Sequence, residues 1–122
     1  MTIYEAAGGA ATFERLVEAF YAGVADDPIL RPLYPQDLAG PQRRLTLFLI
    51  QYFGGPSTYS DERGHPRLRG RHMPFSIGQI ERDAWVRHMS AALDSIELPE
   101  LARDQFRGYF ESAATFLINR PQ

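Results

Sequence analysis

Apolar side chains recur every three or four residues in four stretches of the chain, the spacing expected for one buried face of an α-helix. The first stretch predicts a helix over residues 12–25, with Thr12 as its N-cap. The second predicts a helix from Pro41 to Phe53, because proline suits a first helical turn and Gly54-Gly55-Pro56 stops the helix.

The other two helices lie in the C-terminal part of the sequence. Ser76 and Gln79 resemble a capping box, and the apolar spacing that follows predicts a third helix to Ile96. Leu98-Pro99 opens a fourth helix, which is expected to end near Asn119. No stretch alternates between apolar and polar residues as a half-buried strand does, so the pattern predicts an all-α fold.

Two segments interrupt this helical pattern. Between the first two helices, residues 27–35 hold three prolines, and residues before proline are pushed out of the helical region, which predicts a connector with at most one short turn. Residues 56–74 are polar and rich in glycine and proline, and support only a short helix near residues 68–73. Long irregular segments of this kind commonly carry function.

Length and composition limit the class of protein. The 122 residues fit one domain, 1–122, with one core. No cysteine is present, which removes disulfides, thiolate metal sites and cysteine nucleophiles and agrees with a reducing compartment, so we expect a cytoplasmic protein. There is neither a basic and apolar leader at the start nor an apolar run long enough to span a membrane.

The charge balance argues against nucleic acid as a partner. The net charge is −2, and all 13 basic residues are arginine. Four of them, Arg63, Arg67, Arg69 and Arg71, form one cluster, and guanidinium groups suit small anions held by two hydrogen bonds.

Few residues offer chemistry. The motifs of serine hydrolases, zinc proteases, phosphate-binding loops, dinucleotide-binding folds and di-iron bundles are all missing. A metal centre with imidazole ligands must draw on His65, His72 or His88. Spacing alone leaves His72 and His88 as rivals, and His65 lies in a Gly-His-Pro turn that suits solvent or a carboxylate contact better.

The order of the residues resembles the group II, or O-type, truncated haemoglobins over almost the whole chain. The resemblance is carried by Tyr4-Glu5 before Gly8-Gly9, Phe20-Tyr21, Leu33-Tyr34-Pro35, Gln51-Tyr52-Phe53-Gly54-Gly55-Pro56, Tyr59-Ser60, Arg63-Gly64-His65-Pro66-Arg67-Leu68-Arg69, Arg71-His72, Pro74-Phe75 and Glu81-Arg82-Asp83-Ala84-Trp85. It implies a shortened globin in which two helix pairs, a two-over-two sandwich, enclose haem b.

The resemblance also implies roles for individual residues. His72 would be the proximal iron ligand, its other ring nitrogen held by a carbonyl or carboxylate. Tyr21, Tyr34 and Trp85 would donate hydrogen bonds to the ligand, since the second helix holds no histidine. The expected haem pocket comprises Leu45, which would cover the distal face, Phe48, Leu49, Leu68, Phe75, Ile80 and Met89, and the expected propionate contacts are Tyr59, Arg63, Arg44, Arg69 and Arg71.

The function expected from the resemblance is reversible binding of O2, and of CO and NO, for oxygen storage or transport. The alternatives are a haem-based redox enzyme acting on NO or peroxide, which would need an external reductase, and a cofactor-free helical interaction module whose arginines bind an acidic partner. A homodimer is expected from the family alone. The connector is one residue shorter than the family pattern, and Pro41 stands where another small residue is common, which bears on ligand access.

Overall fold

The computed structural model describes residues 1–121, and every regular element within them is helical. None of the helices in this range is long and apolar enough to cross a lipid bilayer. A short 3₁₀ turn covers Arg31–Leu33, and the seven α-helices are α1 (Ile3–Ala7), α2 (Ala10–Ala25), α3 (Ala39–Tyr52), α4 (Thr58–Arg63), α5 (Leu68–His72), α6 (Gln79–Asp94) and α7 (Glu100–Phe116). The all-α prediction is confirmed.

The four long helices pack in two pairs that lie on each other. Helix α2 packs on α3, α6 packs on α7, and α2 and α6 join the pairs. Aromatic rings fill the contact: Phe13 of α2 lies 5.3 Å from Phe106 of α7, and Phe53, just after α3, lies 4.5 Å from Phe106 (centroid distances). Phe13 and Phe106 are fully buried, and burial of such a side chain stabilises a fold by roughly 1.5–3 kcal/mol.

The N-terminal residues form a helix that the sequence pattern did not predict. Helix α1 is short, but Thr2 and Glu5 cap it reciprocally: the Glu5 amide donates to the Thr2 hydroxyl and the Thr2 amide donates to the Glu5 carboxylate. The prediction of Thr12 as N-cap of the next helix is wrong. Helix α2 begins two residues earlier behind Gly9, and the Thr12 hydroxyl donates instead to the Ala7 carbonyl at 2.7 Å.

Helix α3 begins at Ala39, two residues before Pro41, and ends as predicted near the glycine pair. Gly54 adopts a φ of 103°, and a Cβ there would lie 2.7 Å from the Thr2 Cβ. This close approach brings α1 against the end of α3, where the Tyr4 amide donates to the Phe53 carbonyl at 2.9 Å. A turn that only glycine tolerates therefore fixes the N-terminal helix.

The segment expected to be irregular contains two short helices. Helix α4 was not predicted; it is held to α3 by Gln51, whose amide donates to the Ser60 hydroxyl at 2.8 Å and accepts from the Ser60 backbone at 2.9 Å. Helix α5 lies where a short helix was expected and ends at His72. Both helices bring side chains to the same end of the molecule.

The ends of the last two helices also differ from the predictions. Helix α6 begins at Gln79, and Glu81 rather than the Ser76–Gln79 pair forms the cap, accepting from the Gly78 amide at 2.7 Å. Helix α7 ends at Phe116, so the predicted end near Asn119 is three residues too late. Asn119 lies beyond the end of α7, and its side chain forms hydrogen bonds with the backbone of residues 72–77.

Candidate cofactor site

A cavity of about 510 Å³ opens beside the aromatic core. Its walls come from α2, the 3₁₀ turn, every helix from α3 to α7, and residues 75–77. Its volume lies within the range of roughly 300–1,000 Å³ that is usual for small-molecule and cofactor pockets. The cavity also collects most of the polar side chains that the sequence analysis singled out.

His72 lines this cavity from the last position of α5. Its Nδ1 lies 2.6 Å from the Leu68 carbonyl one turn earlier. Because a carbonyl can only accept, Nδ1 must carry a hydrogen, and in the tautomer that binds a metal this leaves the lone pair on Nε2. The hydrogen bond also fixes the rotation of the ring, as is usual for a metal-binding histidine.

Asn119 supports the segment around His72 and was not found by sequence reasoning. Its amide nitrogen donates to the carbonyls of His72, at 3.2 Å, and Phe75, at 2.9 Å, while its Oδ1 accepts from the Ile77 amide at 3.0 Å. The residues lie more than 40 positions apart in sequence, so no local pattern announces the contact. The C-terminal segment thereby holds the chain that follows the histidine.

Tyr21, Tyr34 and Trp85 line the same cavity, from α2, the connector and α6. The Tyr21 and Tyr34 rings meet edge to face at 5.5 Å. Burial raises the pKa of Tyr34 to about 12, and burial together with the nearby Tyr34 raises that of Tyr21 further. Both phenols are therefore protonated at neutral pH and can donate hydrogen bonds, as can the Trp85 indole.

The other two histidines lie elsewhere. His88 does not line the cavity; its Nε2 contacts the Asp27 carboxylate at 2.5 Å. His65 is exposed and accepts a hydrogen bond from the Arg67 amide through Nδ1. Of the two histidines that spacing left as rivals, only His72 lines the cavity.

Five of the seven expected apolar pocket residues line the cavity, and two do not. Ile80 is 56% exposed in the first turn of α6, and Met89 is buried in the core, where it contributes nothing to the cavity wall. These two positions stand apart from the other five, since apolar spacing along α6 does not distinguish residues that face the cavity from residues that face other helices or solvent. The expected pocket residues that line the cavity are Leu45, Phe48, Leu49, Leu68 and Phe75.

Four of the five expected anion contacts also line the cavity: Tyr59, Arg44, Arg63 and Arg71. Arg71 is partly engaged by the loop before α5, since it donates to the carbonyls of Pro66, Arg63 and His65. Arg69 is the exception. It points to the end of α7, where it donates to the Phe116 carbonyl at 2.6 Å and lies over the Phe116 ring.

Several wall residues escaped the sequence analysis. Ile77 and Arg82 come from the segment before α6 and from its first turn, and Tyr109 lies on α7 with its ring 4.1 Å from that of Tyr52 (centroid distance). Their apolar or charged character alone gives no signal of a cavity. Further wall positions on or just after α7 are Phe110, Ala113, Ala114 and Leu117.

The cavity does not have the donor set of a bare metal ion. Among residues 1–121, no three histidine, cysteine, aspartate or glutamate side chains cluster closely enough to hold one. A metal at His72 would need most of its ligands from a cofactor. The largely apolar wall favours a hydrophobic one.

The comparisons with known proteins agree with this geometry. Residues 2–119 match the family described as bacterial-like globin. The chain is 40% identical over 119 residues to the group 2 truncated hemoglobin YjbI of Bacillus subtilis, an alignment that covers 98% of this chain and 89% of that protein.

Two crystal structures are similar over nearly their full length. The hemoglobin of Chloroflexus aurantiacus superposes with a TM-score of 0.97 at 57% identity, covering 98% of this chain and 99% of that one. The hemoglobin of Thermobifida fusca gives a TM-score of 0.97 at 54% identity, with both chains covered completely. The chain therefore belongs to the bacterial-like globin family and is a group II truncated haemoglobin with the two-over-two helical fold.

Proposed function

We propose that the chain binds haem b through His72 and binds O2 reversibly in the same cavity, with CO and NO as further ligands. The observation that carries the proposal is the His72 ring itself, which lines the cavity and is oriented by the Leu68 carbonyl. Family membership implies haem-based gas binding in general terms. The identity of the cofactor and of the ligand set is our inference.

The wall of the cavity fits a porphyrin with two carboxylates. Apolar side chains from α3 and α5, such as Leu45, Phe48 and Leu68, suit the faces of a macrocycle. Arg44 and Arg63 line the cavity and can pair with carboxylates through two hydrogen bonds each. Haem would supply an iron with an open coordination position. The protein supplies the axial nitrogen, the apolar wall and the countercharges.

The polar side chains of the cavity are suited to hold a small diatomic ligand. Tyr21, Tyr34 and Trp85 each present a donor hydrogen on a ring that is otherwise apolar. Several donors around one ligand slow its release, which favours storage or reaction over rapid delivery. An ordinary phenol is already protonated at neutral pH, and burial raises the pKa of both tyrosines, so they remain donors at alkaline pH as well.

An absorption spectrum of the haem-loaded protein tests the proposal. We expect a Soret band in the wild type, and in His72→Ala a shifted band that returns towards the wild-type position when imidazole is added. His65→Ala is the matched control and should keep the wild-type spectrum, because its ring does not line the cavity. An unaltered band in His72→Ala, or no haem uptake by the wild type, would overturn the proposal.

A second candidate function, haem-based redox catalysis, has one observation in its favour. Tyr109 lines the cavity and stacks on Tyr52, which is 54% exposed, so two oxidisable phenols connect the cavity to the surface. Reduction of peroxide or dioxygenation of NO would then draw electrons from an external reductase. Turnover of peroxide with an artificial electron donor should fall in Tyr52→Phe if this route operates, and remain unchanged if it does not.

A further inference from the structure

A buried carboxylate lies outside the cavity, at the junction of α2, the connector and α6. The Asp27 side chain is only 6% exposed and accepts four hydrogen bonds. Two come from the connector, the amides of Ile29 at 2.7 Å and Leu30 at 3.0 Å. Two come from α6, the His88 ring at 2.5 Å and the Arg87 guanidinium at 3.4 Å.

Each side of this junction leads directly to a donor of the cavity. On the connector side, Leu30 lines the cavity, and Tyr34 directly follows the 3₁₀ turn that comes next. On the α6 side, His88 lies one helical turn after Trp85. The contact between Asp27 and His88 therefore joins the segments that carry two of the three proposed ligand donors.

Helix α2 is shaped to receive the His88 ring. A Cβ added at Gly23 would clash with Nδ1 of His88 and lie 3.2 Å from two of its ring carbons. Real Cβ atoms do not approach this closely, so any larger residue at this position would displace the imidazole. Gly23 leaves space for one edge of the His88 ring and the Asp27 carboxylate binds the other edge, so the ring is held from two directions.

We propose that Asp27 and His88 are positioning residues that set the distance between Tyr34 on the connector and Trp85 on α6. The inference deepens the proposed gas-binding function and rests on it for its functional consequence. Neither residue touches the cavity, so both act through the two donors. Loss of the contact would let the connector move relative to α6 while the aromatic core stays folded.

Trp85 fluorescence in the haem-free protein tests the structural part, because Trp85 is the only tryptophan in the sequence. His88→Leu removes the donor at similar volume, and Gly23→Ala displaces the ring. Both should shift the emission to longer wavelength and increase quenching by acrylamide, while far-ultraviolet circular dichroism shows that the helices persist. His88→Gln retains an N–H donor and should restore much of the wild-type signal.

Gly108→Ala is the matched control for Gly23→Ala, because Gly108 also lies within a helix and a Cβ there meets nothing within 4 Å. It should leave the fluorescence unchanged. If His88→Leu and Gly23→Ala also leave the fluorescence unchanged with the fold intact, the contact does not position Trp85 and the inference is wrong.

The rate of O2 release from the haem-loaded protein tests the functional part. His88→Leu should speed release by up to about tenfold, the effect of weakening one net hydrogen bond. In a Tyr34→Phe, Trp85→Phe background the same substitution should have no further effect, whereas a merely structural role would speed release by the same factor in both backgrounds. Absence of a Soret band in the wild type would refute the proposed function alone, since the fluorescence result does not depend on haem.

Discussion

At the scale of single residues, the site depends on which hydrogen each polar atom carries. The Leu68 carbonyl accepts a hydrogen bond from Nδ1 of His72, so Nε2 is the ring nitrogen that remains to bind a metal. Burial raises the pKa of Tyr34 to about 12, so its hydroxyl keeps its hydrogen and can donate it. The backbone and the low polarity of the interior thus fix two features before any ligand binds: a ring nitrogen able to bind a metal and a hydroxyl able to donate a hydrogen bond.

Substitution of Trp85 tests whether the indole holds the ligand. Trp85→Phe keeps an aromatic ring against Phe20, whose centroid lies 5.2 Å away, but removes the N–H. Loss of one net hydrogen bond of roughly 1–1.5 kcal/mol should speed O2 release by about tenfold. Stopped-flow kinetics measure the rate, and Tyr52→Phe, at a position that does not line the cavity, is the control. An unchanged rate would remove Trp85 from the ligand-binding set.

Asp27 gives the fold a specific sensitivity to acid. The hydrogen bond from His88, helped by the Leu30 and Ile29 amides, lowers the pKa of Asp27 from 3.8 to about 2. Its contribution to the free energy of unfolding is therefore present above about pH 4 and is lost as the pH falls towards 2. Urea unfolding should show the difference in the free energy of unfolding between wild type and Asp27→Asn shrinking as the pH falls below about 4.

Asp26→Asn is the natural control for this measurement, since Asp26 is the exposed neighbour of Asp27. Its effect on the free energy of unfolding should be small and should change little over the same pH range. A wild-type advantage over Asp27→Asn that persists undiminished to low pH would show that the charge of Asp27 is not what stabilises the fold.

The sequence predicted residues well where chemistry singles them out and poorly where only packing does. His72, Tyr21, Tyr34 and Trp85 were expected from a resemblance over the whole chain, and all four meet at one cavity. Ile80 is exposed and lies outside the cavity wall, because a position in the first turn of a helix can share the apolar spacing of the buried face without having a neighbour to cover it.

The contacts of charged and polar side chains with distant partners could not be predicted, for a different reason. Asn119 and Arg69 each bond to backbone carbonyls more than 40 residues away, and such contacts depend on how the chain folds back. In the sequence, every arginine of a basic cluster is a candidate for anion binding, even one whose guanidinium donates its hydrogen bonds to a distant backbone carbonyl. Only the tertiary structure separates Arg69 from Arg63.

At the scale of elements, long and short helices differ in what makes them stable. Helices α2, α3, α6 and α7 are at least 14 residues long and carry apolar faces that periodicity reveals. Helices α1, α4 and α5 have only five or six residues, too few to be stable alone. Helix α1 depends on its Thr2–Glu5 cap, a local signal that was missed, whereas α4 and α5 have no side-chain cap and depend on tertiary contacts.

Gly54 tests how far the N-terminal helix depends on a single turn. Gly54→Ala must adopt a φ of 103° and bring its Cβ to 2.7 Å from that of Thr2, so it should lower the free energy of unfolding by about 1–3 kcal/mol. Gly108→Ala, in open space on α7, should raise it by about 0.5–1 kcal/mol. Denaturant titration measures both, and equal effects of the two substitutions would contradict this account of the turn.

At the scale of the whole molecule, the core and the cavity occupy different parts of the same helices. The rings of Phe13, Phe53 and Phe106 contact one another directly, and this contact needs no ligand. The cavity lies beside it, and the elements that enclose it include α5, which has no buried residue. The fold can therefore form around its aromatic centre while the wall of the cavity remains less stable than the rest.

Removal of haem should accordingly loosen one region of the protein. In the haem-free protein, amide hydrogens of residues 68–72 should exchange with solvent at least about tenfold faster than in the loaded protein, because a ligand stabilises the elements that it contacts. Amides of α7 around Phe106, which is fully buried, should change much less. Hydrogen exchange followed by mass spectrometry resolves the two segments, and uniform acceleration along the chain would show that the core depends on the ligand as much as the cavity wall does.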